Sequence, residues 1–428
     1  MSPYPCIPAK VRGYTLVGVD AVLVTIEVDF LRRLPATAIV GLPAGSVGEV
    51  AAKVRDAIEA SGFVYPRCRV VISVSPADLR KDGAGLALPI AIAILVASGQ
   101  VPEAIGNYAA FGELSHGGAV RTTRGVLAVA AAEQPVGCGR PIFASAQDAR
   151  RMAVYAPLVY PLHQLSDLNR LDELVPARPA TVMAAENGLD FADIRRPTDD
   201  DEEHLLALLL EAAATRRPVL LIGPPGCGKT MLAARLGGLL PPLTQKERLE
   251  NARITDAAGF PSSNSDVLEY GRPFRAPHHT CSVAGLLGNA ALRPGEATLA
   301  HRGVLFLDEF PEFPRTTLEE LAHVQRDKVV VRHRAGAPSA VRLPADFWLV
   351  AAANACPCGQ NGSRAGLCTC TATAIDAYRS RMLSDPLLEG ALEVELAPRP
   401  RAIDEESPRW PGTAELRARV AARIAALA

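Results

Sequence analysis

The segment Val219-Leu-Leu-Ile-Gly-Pro-Pro-Gly-Cys-Gly-Lys-Thr230 determines the fold of the second half of this chain. Its first four residues read as a buried strand, its last eight match the pattern G-x-x-x-x-G-K-[ST], and Met231–Leu240 reads as a helix. A glycine-rich loop between strand and helix turns backbone N–H groups inward around a phosphate, and the helix N-terminus adds positive potential. We therefore predict a phosphate-binding loop in a parallel α/β sheet.

The loop and the strand after it supply candidate ligands for a nucleotide and its metal ion. The predicted nucleotide-binding residues are Gly223, Pro224, Pro225, Gly226, Cys227, Gly228, Lys229 and Thr230. Lys229 adds a positive charge beside the β- and γ-phosphates, and the Thr230 hydroxyl is a candidate Mg²⁺ ligand. Downstream, Asp308 and Glu309 directly follow the apolar run Val304–Leu307. Asp308 is a second candidate Mg²⁺ ligand, and Glu309 is a candidate to orient or deprotonate the attacking water.

Asn354 follows a third apolar run, Phe347–Ala352. Open α/β sheets bind ligands at the carboxyl ends of their strands, so Asn354 is a candidate to contact the γ-phosphate or the lytic water. Taken alone, an Asn that caps a loop fits this position as well. Lys229, Asp308, Glu309 and Asn354 form the predicted catalytic set, and ATP and Mg²⁺ are the predicted cofactors.

Four of the nine cysteines form two C-x-C pairs: Cys356, Cys358, Cys368 and Cys370. The nine residues between the pairs are enough to reverse the chain and bring four thiolates together. Four sulfur ligands suit a closed, structural tetrahedral Zn²⁺ site. Metal-free cysteines and a redox role are the alternatives, although stable disulfides are disfavoured in a reducing cytosol.

Length and composition set the class of protein. A chain of 428 residues predicts two to three domains, and 49% hydrophobic with 21% charged residues predicts globular cores. The net charge of −1 gives the protein no overall positive potential that would indicate nucleic-acid or membrane binding, so any such contact must be local. The apolar stretch Leu86–Ala97 is broken by Pro89 and is shorter than a bilayer span. Without a signal peptide, these features predict a soluble, cytoplasmic protein with no membrane partner.

The first 165 residues alternate short apolar runs with Gly and Pro, which predicts an α+β or α/β unit without a charged catalytic cluster. Predicted strands are Leu16–Val19, Ala21–Val28, Val70–Val74 and Ala109–Glu113, and predicted helices are Val47–Ser61 and Leu86–Ala97. The charge run Arg195–Glu203 reads as a solvated linker before a helix.

Ordered motifs along the chain carry a family resemblance: Gly41–Val47, Ser75–Gly83, Phe111–Ser115, Arg272–Thr280, Arg293–His301, Gly303–Phe313, Ala353–Gly359 and Tyr378–Leu388. Together they resemble an AAA+ ATPase, and more narrowly the ComM/YifB family of magnesium-chelatase-like ATPases. The resemblance implies an α/β AAA+ P-loop core preceded by an α+β domain similar to the Lon protease and to ribosomal S5 domain 2. The implied layout is 1–170 for the Lon-like domain, 171–203 for a linker, 204–400 for the ATPase with its cysteine loop 356–370, and 401–428 for a short helical tail.

The resemblance also implies a function. AAA+ proteins of this family assemble into rings, here a hexamer, and ComM proteins drive branch migration of DNA during natural transformation. Lon-type peptidases need a Ser activated by a Lys. This chain has Lys81–Gly85 where that Ser is expected and Arg124–Ala128 where that Lys is expected, so we predict a non-proteolytic first domain.

Two departures from the family pattern concern the motor. After Pro386-Leu-Leu388 the family has Asp-Arg-Ile-Asp, whose Arg resembles a finger that acts on a neighbouring subunit, whereas this chain has Glu389–Leu392. Gly390 supplies no cation, and Arg379 or Arg381 are candidate substitutes. Relatives also continue into a helical lid beyond the end of this chain. These departures motivate two alternatives to a DNA-remodelling motor: a degenerate nucleotide-binding regulator, and a chelatase-like motor acting on a protein partner.

Val329–Arg342 reads as a β-hairpin with a basic tip of Arg332, His333 and Arg334, the candidate DNA contacts. In related rings a hairpin here points into the pore, where six copies would concentrate positive charge on a phosphate backbone. An ordinary solvated hairpin is the alternative. The paired His278 and His279 are weak candidates for a metal site, and a structural or subunit-interface role is expected.

Overall fold

The computed structural model describes residues 9–77, 79, 81, 83–133, 140–185, 188–194, 201–260, 264, 266–333, 340–362, 368–396 and 409–427, with only the backbone described at Ala44, Ala84, Asp201 and Glu202. The chain forms two compact units. The first contains residues 1–183, 252–269 and 333–341, and the second contains residues 184–251, 270–332 and 342–428.

The first unit is built on a mixed sheet. Strands β1 to β10 span Ala9–Val17, Asp20–Leu31, Ala36–Val40, Arg69–Ser75, Ala109–Ala110, Glu113–Leu114, Val120–Arg121, Ile142–Ser145, Val159–Leu162 and Thr181–Ala184. Helices α1 to α4 span Ala44–Ala60, Ala87–Ala97, Val126–Glu133 and Ala146–Met152. The sheet order is β3-β4-β2-β1-β5-β8-β9. β2 is antiparallel to β1 and β4, and the remaining pairs are parallel.

Helix α2 is the centre of this core. Every residue of Ala87–Ala97 is buried, and the helix packs against β1, β2 and α1. Pro89 lies in the first turn, where its missing N–H breaks no intrahelical hydrogen bond. The helix predicted from the apolar run is confirmed within one residue.

The strand predicted over Ala109–Glu113 is wrong as a single element. β5 ends at Ala110, and β6 begins at Glu113 in a separate two-stranded sheet with β7. Between them the backbone N–H of Gly112 donates to Gly85 O at 3.1 Å. The chain therefore leaves the large sheet to bond to the turn that precedes α2.

A buried ion pair in the first unit yields a stability prediction. Arg151 Nη2 lies 2.7 Å from Asp256 Oδ1, and the two side chains are 3% and 0% exposed. Asp256→Ala removes one of the two buried carboxylates that pair with this guanidinium, the other being Asp148 at 3.0 Å, and also the acceptor of the Leu127 N–H. We expect the free energy of unfolding to fall by about 3 kcal/mol. The control is Asp20→Ala, since Asp20 pairs with Arg253 at the surface and its loss is expected to cost below about 1 kcal/mol. Urea titrations that give equal losses for both variants would contradict the prediction.

From Asp201 onward the chain alternates helices and strands. Helices α5 to α12 span Asp201–Thr215, Lys229–Leu236, Gln245–Ala258, Val283–Leu287, Glu296–Leu299, Arg315–Asp327, Ala372–Leu383 and Thr413–Leu427. Strands β11 to β18 span Val219–Ile222, Val267–Tyr270, Phe274–Arg275, Val304–Leu307, Val329–Arg332, Val341–Pro344, Trp348–Ala353 and Leu392–Glu395. The predicted strands Val219–Ile222 and Val304–Leu307 are confirmed, and the third is shifted by one residue. Helix α6 begins at Lys229, two residues before its predicted start.

The second unit is organised around a parallel five-stranded sheet of order β13-β14-β17-β11-β18. The three inner strands, β14, β17 and β11, are buried along their whole length. Such strands are apolar throughout because helices cover both faces of the sheet. Since all five strands run the same way, the polar residues that follow them meet at one edge. Among the described residues, no helix is long and apolar enough to cross a bilayer.

Candidate nucleotide site and cysteine cluster

The loop between β11 and α6 forms a phosphate-binding turn. Gly226 and Gly228 have φ angles of 78° and 101°, a left-handed conformation that glycine adopts without strain. Gly228 caps α6, so the helix N-terminus opens onto the loop. A Cβ on Gly223 would lie 2.7 Å from Cys227 Sγ, which shows how tightly the loop closes. Backbone N–H groups in this arrangement bind phosphate oxygens.

Lys229 and Asn354 meet at this loop. Lys229 Nζ donates to the carbonyl oxygens of Gly223 and Pro224 at 2.7 and 3.1 Å, and to Asn354 Oδ1 at 3.3 Å. β11 and β17 pair with Ile222 opposite Ala353, so the residue after each strand lies at the same edge. The register of two parallel strands therefore sets this Lys–Asn contact.

Thr230 and Asp308 form a second pair beside the first. Thr230 Oγ1 donates to Asp308 Oδ2 at 3.0 Å. Thr230 lies in the first turn of α6, and Asp308 directly follows β14. A hydroxyl and a carboxylate at this separation are oxygen ligands of the type that Mg²⁺ takes beside phosphates. The donor set therefore fits the predicted magnesium ion.

Glu309 has a conformation of its own. Its φ and ψ are 52° and 45°, left-handed for a non-glycine residue, and its N–H donates to Asp308 Oδ1 at 3.0 Å. The carboxylate is 56% exposed, and its Oε2 lies 3.0 Å from His279 Nδ1. Non-glycine residues in this conformation cost about 1–3 kcal/mol and cluster at functional sites.

A cavity of about 260 Å³ lies at this edge, lined by His279, Glu309, Pro311, Glu312, Asn354 and Tyr378. Burial, with a smaller contribution from Glu312, raises the pKa of Tyr378, so its hydroxyl is neutral at physiological pH. The cavity thus joins a carboxylate, an imidazole, an amide and a phenol around a space that can hold water or a phosphate group.

The structure brings the sequence-predicted residues Lys229, Thr230, Asp308, Glu309 and Asn354 to this one edge of the sheet. The sequence did not predict the contact of His279 with Glu309, nor did it predict Tyr378 and Glu312 as lining residues. The sequence feature that could have indicated the His279–Glu309 contact was the pair of His residues shortly after Phe274–Arg275. That segment is β13, which pairs with β14 in the sheet. That strand is two residues long, too short for its pattern to predict it.

The four cysteines of the predicted metal site form one cluster. Their sulfur atoms all lie within 4.8 Å of one another. Cys356 Sγ is 3.3 Å from Cys358 Sγ and 3.7 Å from Cys368 Sγ, and the latter two are also 3.7 Å apart. Four sulfurs at about 2.3 Å from a tetrahedral Zn²⁺ lie roughly 3.8 Å from each other. The arrangement fits a closed Cys₄ metal site.

Local hydrogen bonds shift the pKa values of the thiols in this cluster. The backbone N–H of Gln360, followed by the Cys356 thiol, lowers the pKa of Cys358 to about 6. Asn361 N–H donates to Cys356 Sγ at 3.2 Å. The thiolate is the form of cysteine that binds metal ions. The loop thus favours negative charge on the sulfur of Cys358, whereas burial and the neighbouring Cys358 and Cys356 sulfurs raise the pKa of Cys368 to about 11 against an opposing backbone N–H.

The cluster lies against the phosphate-binding loop. A Cβ on Gly359 would sit 3.5 Å from Asn354 Nδ2 and 3.9 Å from Pro225 Cγ. The segment that carries Cys356 and Cys358 therefore packs on both the amide and the loop that bind the Lys229 ammonium.

Comparisons with known proteins agree with this architecture. A sequence model described as magnesium chelatase, subunit ChlI, matches residues 190–399, and a model described as subunit ChlI of Mg-chelatase matches residues 26–146. The protein YifB of Salmonella typhimurium is 35% identical over 426 residues, which cover 97% of this chain and 81% of that protein. Competence protein ComM of Haemophilus influenzae is 35% identical over 82% of this chain and 69% of its own.

The chain belongs to the ComM/YifB family of magnesium-chelatase-like proteins. The second unit of this ComM/YifB protein has the AAA+ α/β fold. A solved structure of NtrX from Brucella abortus in complex with ATP aligns with 47% of this chain and 38% of the NtrX chain. The sequence identity is 20% and the TM-score is 0.28, so this likeness carries no argument about the fold.

Of the basic hairpin predicted for this ComM/YifB protein, the structure describes the two strands, β15 and β16, which pair with each other. Arg332, at the end of β15, donates from Nε to Leu287 O at 3.4 Å, and His333 is exposed. Arg334, the third predicted DNA contact, lies outside the described residues. Two of the three candidates are thus placed at the last residue of β15 and at the residue that follows it.

Gly390, where the resemblance leads us to expect an Arg, lies in a turn before β18. Gly390 has a φ of 69°, and its carbonyl accepts a hydrogen bond from Arg217 Nε at 2.7 Å. The nearby Arg379 is paired with Glu395 and, at 3.5 Å, with Glu393. Arg381 lies 5.9 Å from the ring centre of Tyr378. Of the two candidate substitutes for a finger, Arg379 is engaged within its own chain.

Proposed function

We propose that this protein binds ATP with Mg²⁺ at the β11–α6 loop and hydrolyses it. The observation that carries this proposal is the meeting of Lys229 with Asn354, and of Thr230 with Asp308, at the carboxyl edge of one parallel sheet. This is the edge at which open α/β sheets bind ligands. The pairs combine a cation for phosphate oxygens with two oxygen ligands for a metal ion.

Each residue has a separate role in this proposal. The loop N–H groups and Lys229 bind and orient the phosphates, while Thr230 and Asp308 hold Mg²⁺. When bound, the metal ion neutralises charge on the phosphate oxygens. Glu309 accepts a proton from the attacking water, and Asn354 orients that water or the γ-phosphate.

Titration with a fluorescent ATP analogue, with and without Mg²⁺, tests the proposed ligands. Wild-type protein should bind the analogue more tightly when Mg²⁺ is present. Thr230→Val removes the hydroxyl and keeps the shape of the side chain, so it should abolish the gain from Mg²⁺. Equal magnesium dependence in the two proteins would contradict the assignment of Thr230.

We further propose that the protein assembles into a ring, as a hexamer, and couples hydrolysis to the remodelling of branched DNA. Two observations support DNA as the substrate. The Haemophilus influenzae relative is named a competence protein. The hairpin carries Arg332 and the exposed His333, which a ring would present in several copies. The mass of the protein in solution with a non-hydrolysable ATP analogue tests the ring.

The hairpin gives a prediction about DNA. Arg332→Ala combined with Arg334→Ala should remove most of the stimulation of ATP turnover by branched DNA and leave turnover without DNA unchanged. The slope of log affinity against log salt should fall by about 0.9 for each phosphate that the variant no longer neutralises. Arg315→Ala is the control, since Arg315 is 90% exposed on α10 of the same unit and pairs with Glu319. Equal effects of both variants would exclude the hairpin as the region that binds DNA.

A second candidate function is that of a nucleotide-binding regulator with little hydrolysis, and the observation that favours it is Gly390. Its Cβ position faces open space, yet no cation is available from this residue. An arginine finger contributes about 10³–10⁵ in rate in GTPases. Nucleotide binding without turnover, with or without DNA, would favour the regulator. Turnover that responds to a protein partner but not to DNA would favour a chelatase-like motor.

We propose that the first unit is a Lon-like scaffold without peptidase activity. The resemblance to Lon peptidases places the nucleophilic Ser within Lys81–Gly85, where Lys81 is 2% exposed and donates to the carbonyl oxygens of Gly41, Pro76 and Leu79. The same resemblance places the activating Lys within Arg124–Ala128, where Arg124 Nη1 donates to Ala257 O at 3.1 Å. Both side chains hold backbone in place, which supports a structural role.

We also propose that Cys356, Cys358, Cys368 and Cys370 bind one structural Zn²⁺. The sulfur separations near 3.7 Å support this metal, as does the all-sulfur donor set, which leaves no open position for catalysis. The ion would fix the segment that begins two residues after Asn354.

A further inference from the structure

A second cavity, of about 360 Å³, lies in the second unit at some distance from the candidate nucleotide site. Its lining comes from five parts of the chain: 184–190, 234–243, Arg248 on α7, 270–274 and 413–417. Helix α6 begins at Lys229 beside the phosphate-binding loop, and at 1.5 Å per residue Gly237 lies about 12 Å further along its axis. None of residues 223–230, all of which the structure describes, lines this cavity. The cavity is therefore separate from the loop.

The charged groups that line this cavity are mostly positive. Arg248 on α7, Arg272 before β13 and Arg417 on α12 each contribute a guanidinium, and Asp190 contributes the one carboxylate of the lining. The lining thus carries a net charge of about +2, since arginine is protonated and aspartate ionised near neutral pH. Because these residues are far apart in the sequence, the fold itself brings the positive charges together.

Two of the arginines are held by backbone carbonyl groups. Arg272 donates to Pro241 O and to Arg302 O. Arg417 Nε donates to Gly238 O at 2.9 Å. Neither guanidinium forms an ion pair with a residue that the structure describes. Neutral carbonyl groups fix the position of a guanidinium but leave its charge uncompensated.

The third arginine and the single carboxylate of the lining do not pair with each other. The Arg248 side chain has no hydrogen bond or ion pair with a described residue, and its Nε is buried without a partner. Asp190 Oδ1 accepts hydrogen bonds from the N–H and the hydroxyl of Thr413 at 2.7 and 2.9 Å, and from the Ala192 N–H at 3.0 Å. Its negative charge is therefore engaged by neutral donors and not by an arginine.

The electrostatics of Arg272 show that an anion would be favourable here. Burial lowers the pKa of Arg272 to about 10, and the positive charges of Arg216, Arg302 and Arg417 act in the same direction, against Glu247. A partly buried guanidinium among other cations is destabilised in its charged form. A negative ligand in the cavity would compensate this charge and accept the N–H groups that the protein leaves free.

We propose that this cavity binds the phosphate group of a small ligand, either inorganic phosphate or a nucleoside monophosphate. Near neutral pH such a group carries a charge of about −1.5 to −2, which matches the net charge of the lining. The planar fork of arginine binds phosphate oxygens through paired hydrogen bonds. Tyr270 and Phe274 also line the cavity and offer apolar surface to a base. Its volume falls within the range of about 300–1,000 Å³ that is typical of small-molecule pockets.

Calorimetric titration of a variant with a disabled loop tests this site. Lys229→Ala removes the ammonium that the loop offers to phosphates, and it serves as the common background. Inorganic phosphate and AMP are the probes. We expect Arg248→Gln to weaken the binding of at least one of them by about tenfold or more, the loss expected for hydrogen bonds between charged groups. Arg326→Gln is the matched control, since Arg326 is exposed on α10 and does not line the cavity.

Arg248 is the residue to replace because its side chain holds no described part of the fold, whereas Arg272→Gln would remove two hydrogen bonds to the backbone and can unfold the protein. The midpoint of thermal unfolding without ligand should be the same for Arg248→Gln and Arg326→Gln. Tighter binding of AMP would identify a nucleotide as the ligand, and equal or tighter binding of phosphate would identify the free ion.

Three results would overturn the inference: no binding of either probe, equal affinities in the Arg248→Gln and Arg326→Gln variants, or binding of a DNA oligonucleotide alone. The inference does not depend on ATP hydrolysis. Wild-type protein without turnover would leave it intact, and failure of this site would leave the proposed ATPase intact.

Discussion

Glu309→Gln is expected to lower the turnover of ATP by about 10²–10⁴-fold, the contribution of a positioned general base. The amide keeps the size of the side chain but cannot accept a proton from water. Lys229, Thr230 and Asp308 are unchanged, so the affinity for Mg²⁺ and ATP should be retained. Phosphate release under saturating ATP, together with binding of a fluorescent analogue, measures the two quantities separately.

Glu312→Gln is the matched control for this substitution. Glu312 lines the same cavity of about 260 Å³, and its substitution likewise replaces a carboxylate with an amide of the same size. Its substitution should alter turnover far less, because it does not follow β14 directly and has no contact with Asp308 among the described residues. A fall of equal size for both variants would mean that the negative charge of the cavity matters and that Glu309 has no specific role.

Cys356→Ser is expected to lose the bound zinc and to lower the midpoint of thermal unfolding of the second unit by about 5–10 °C. Cys356 is buried with its sulfur 3.3 Å and 3.7 Å from two other sulfurs of the cluster, so a serine there removes one ligand from the centre of the site. Structural zinc contributes folding free energy directly, and about 1 kcal/mol corresponds to roughly 2–4 °C in a unit of this size. Elemental analysis of the wild type should find about one zinc per chain.

Cys281→Ser is the control, since Cys281 is partly buried in the same unit and lies outside the cluster. It should keep both the metal content and the unfolding midpoint. Wild-type protein that is purified without zinc, is folded and binds ATP would refute the structural metal site. Zinc that is retained after Cys356→Ser would place it elsewhere.

The sequence predicts which residues come together at the candidate nucleotide site because the parts of that site are local. A strand, a loop and a helix that follow one another fix the positions of Lys229 and Thr230. The polar ends of two further apolar runs, Asp308 and Asn354, reach the same edge because parallel strands share a direction. None of these inferences needs a contact between distant segments beyond the pairing of buried strands.

The contact between His279 and Glu309 lies beyond such reasoning. It depends on the pairing of β13 with β14, and β13 is only two residues long. A strand that short has no measurable period, so its neighbour in the sheet cannot be inferred. The Ala109–Glu113 error has a related cause: the hydrogen bond of Gly112 to Gly85 links segments that no local pattern connects.

The proposed ATPase activity and its coupling to DNA depend on the binding and hydrolysis of ATP at the loop from Gly223 to Thr230, and one comparison tests this claim. Release of phosphate from ATP should be measured for the wild type and for Lys229→Ala, with Mg²⁺ and with chelator, in the presence of branched DNA. We expect magnesium-dependent release by the wild type and none above background by the variant. Equal rates of release from the two proteins would show that the loop does not carry the activity.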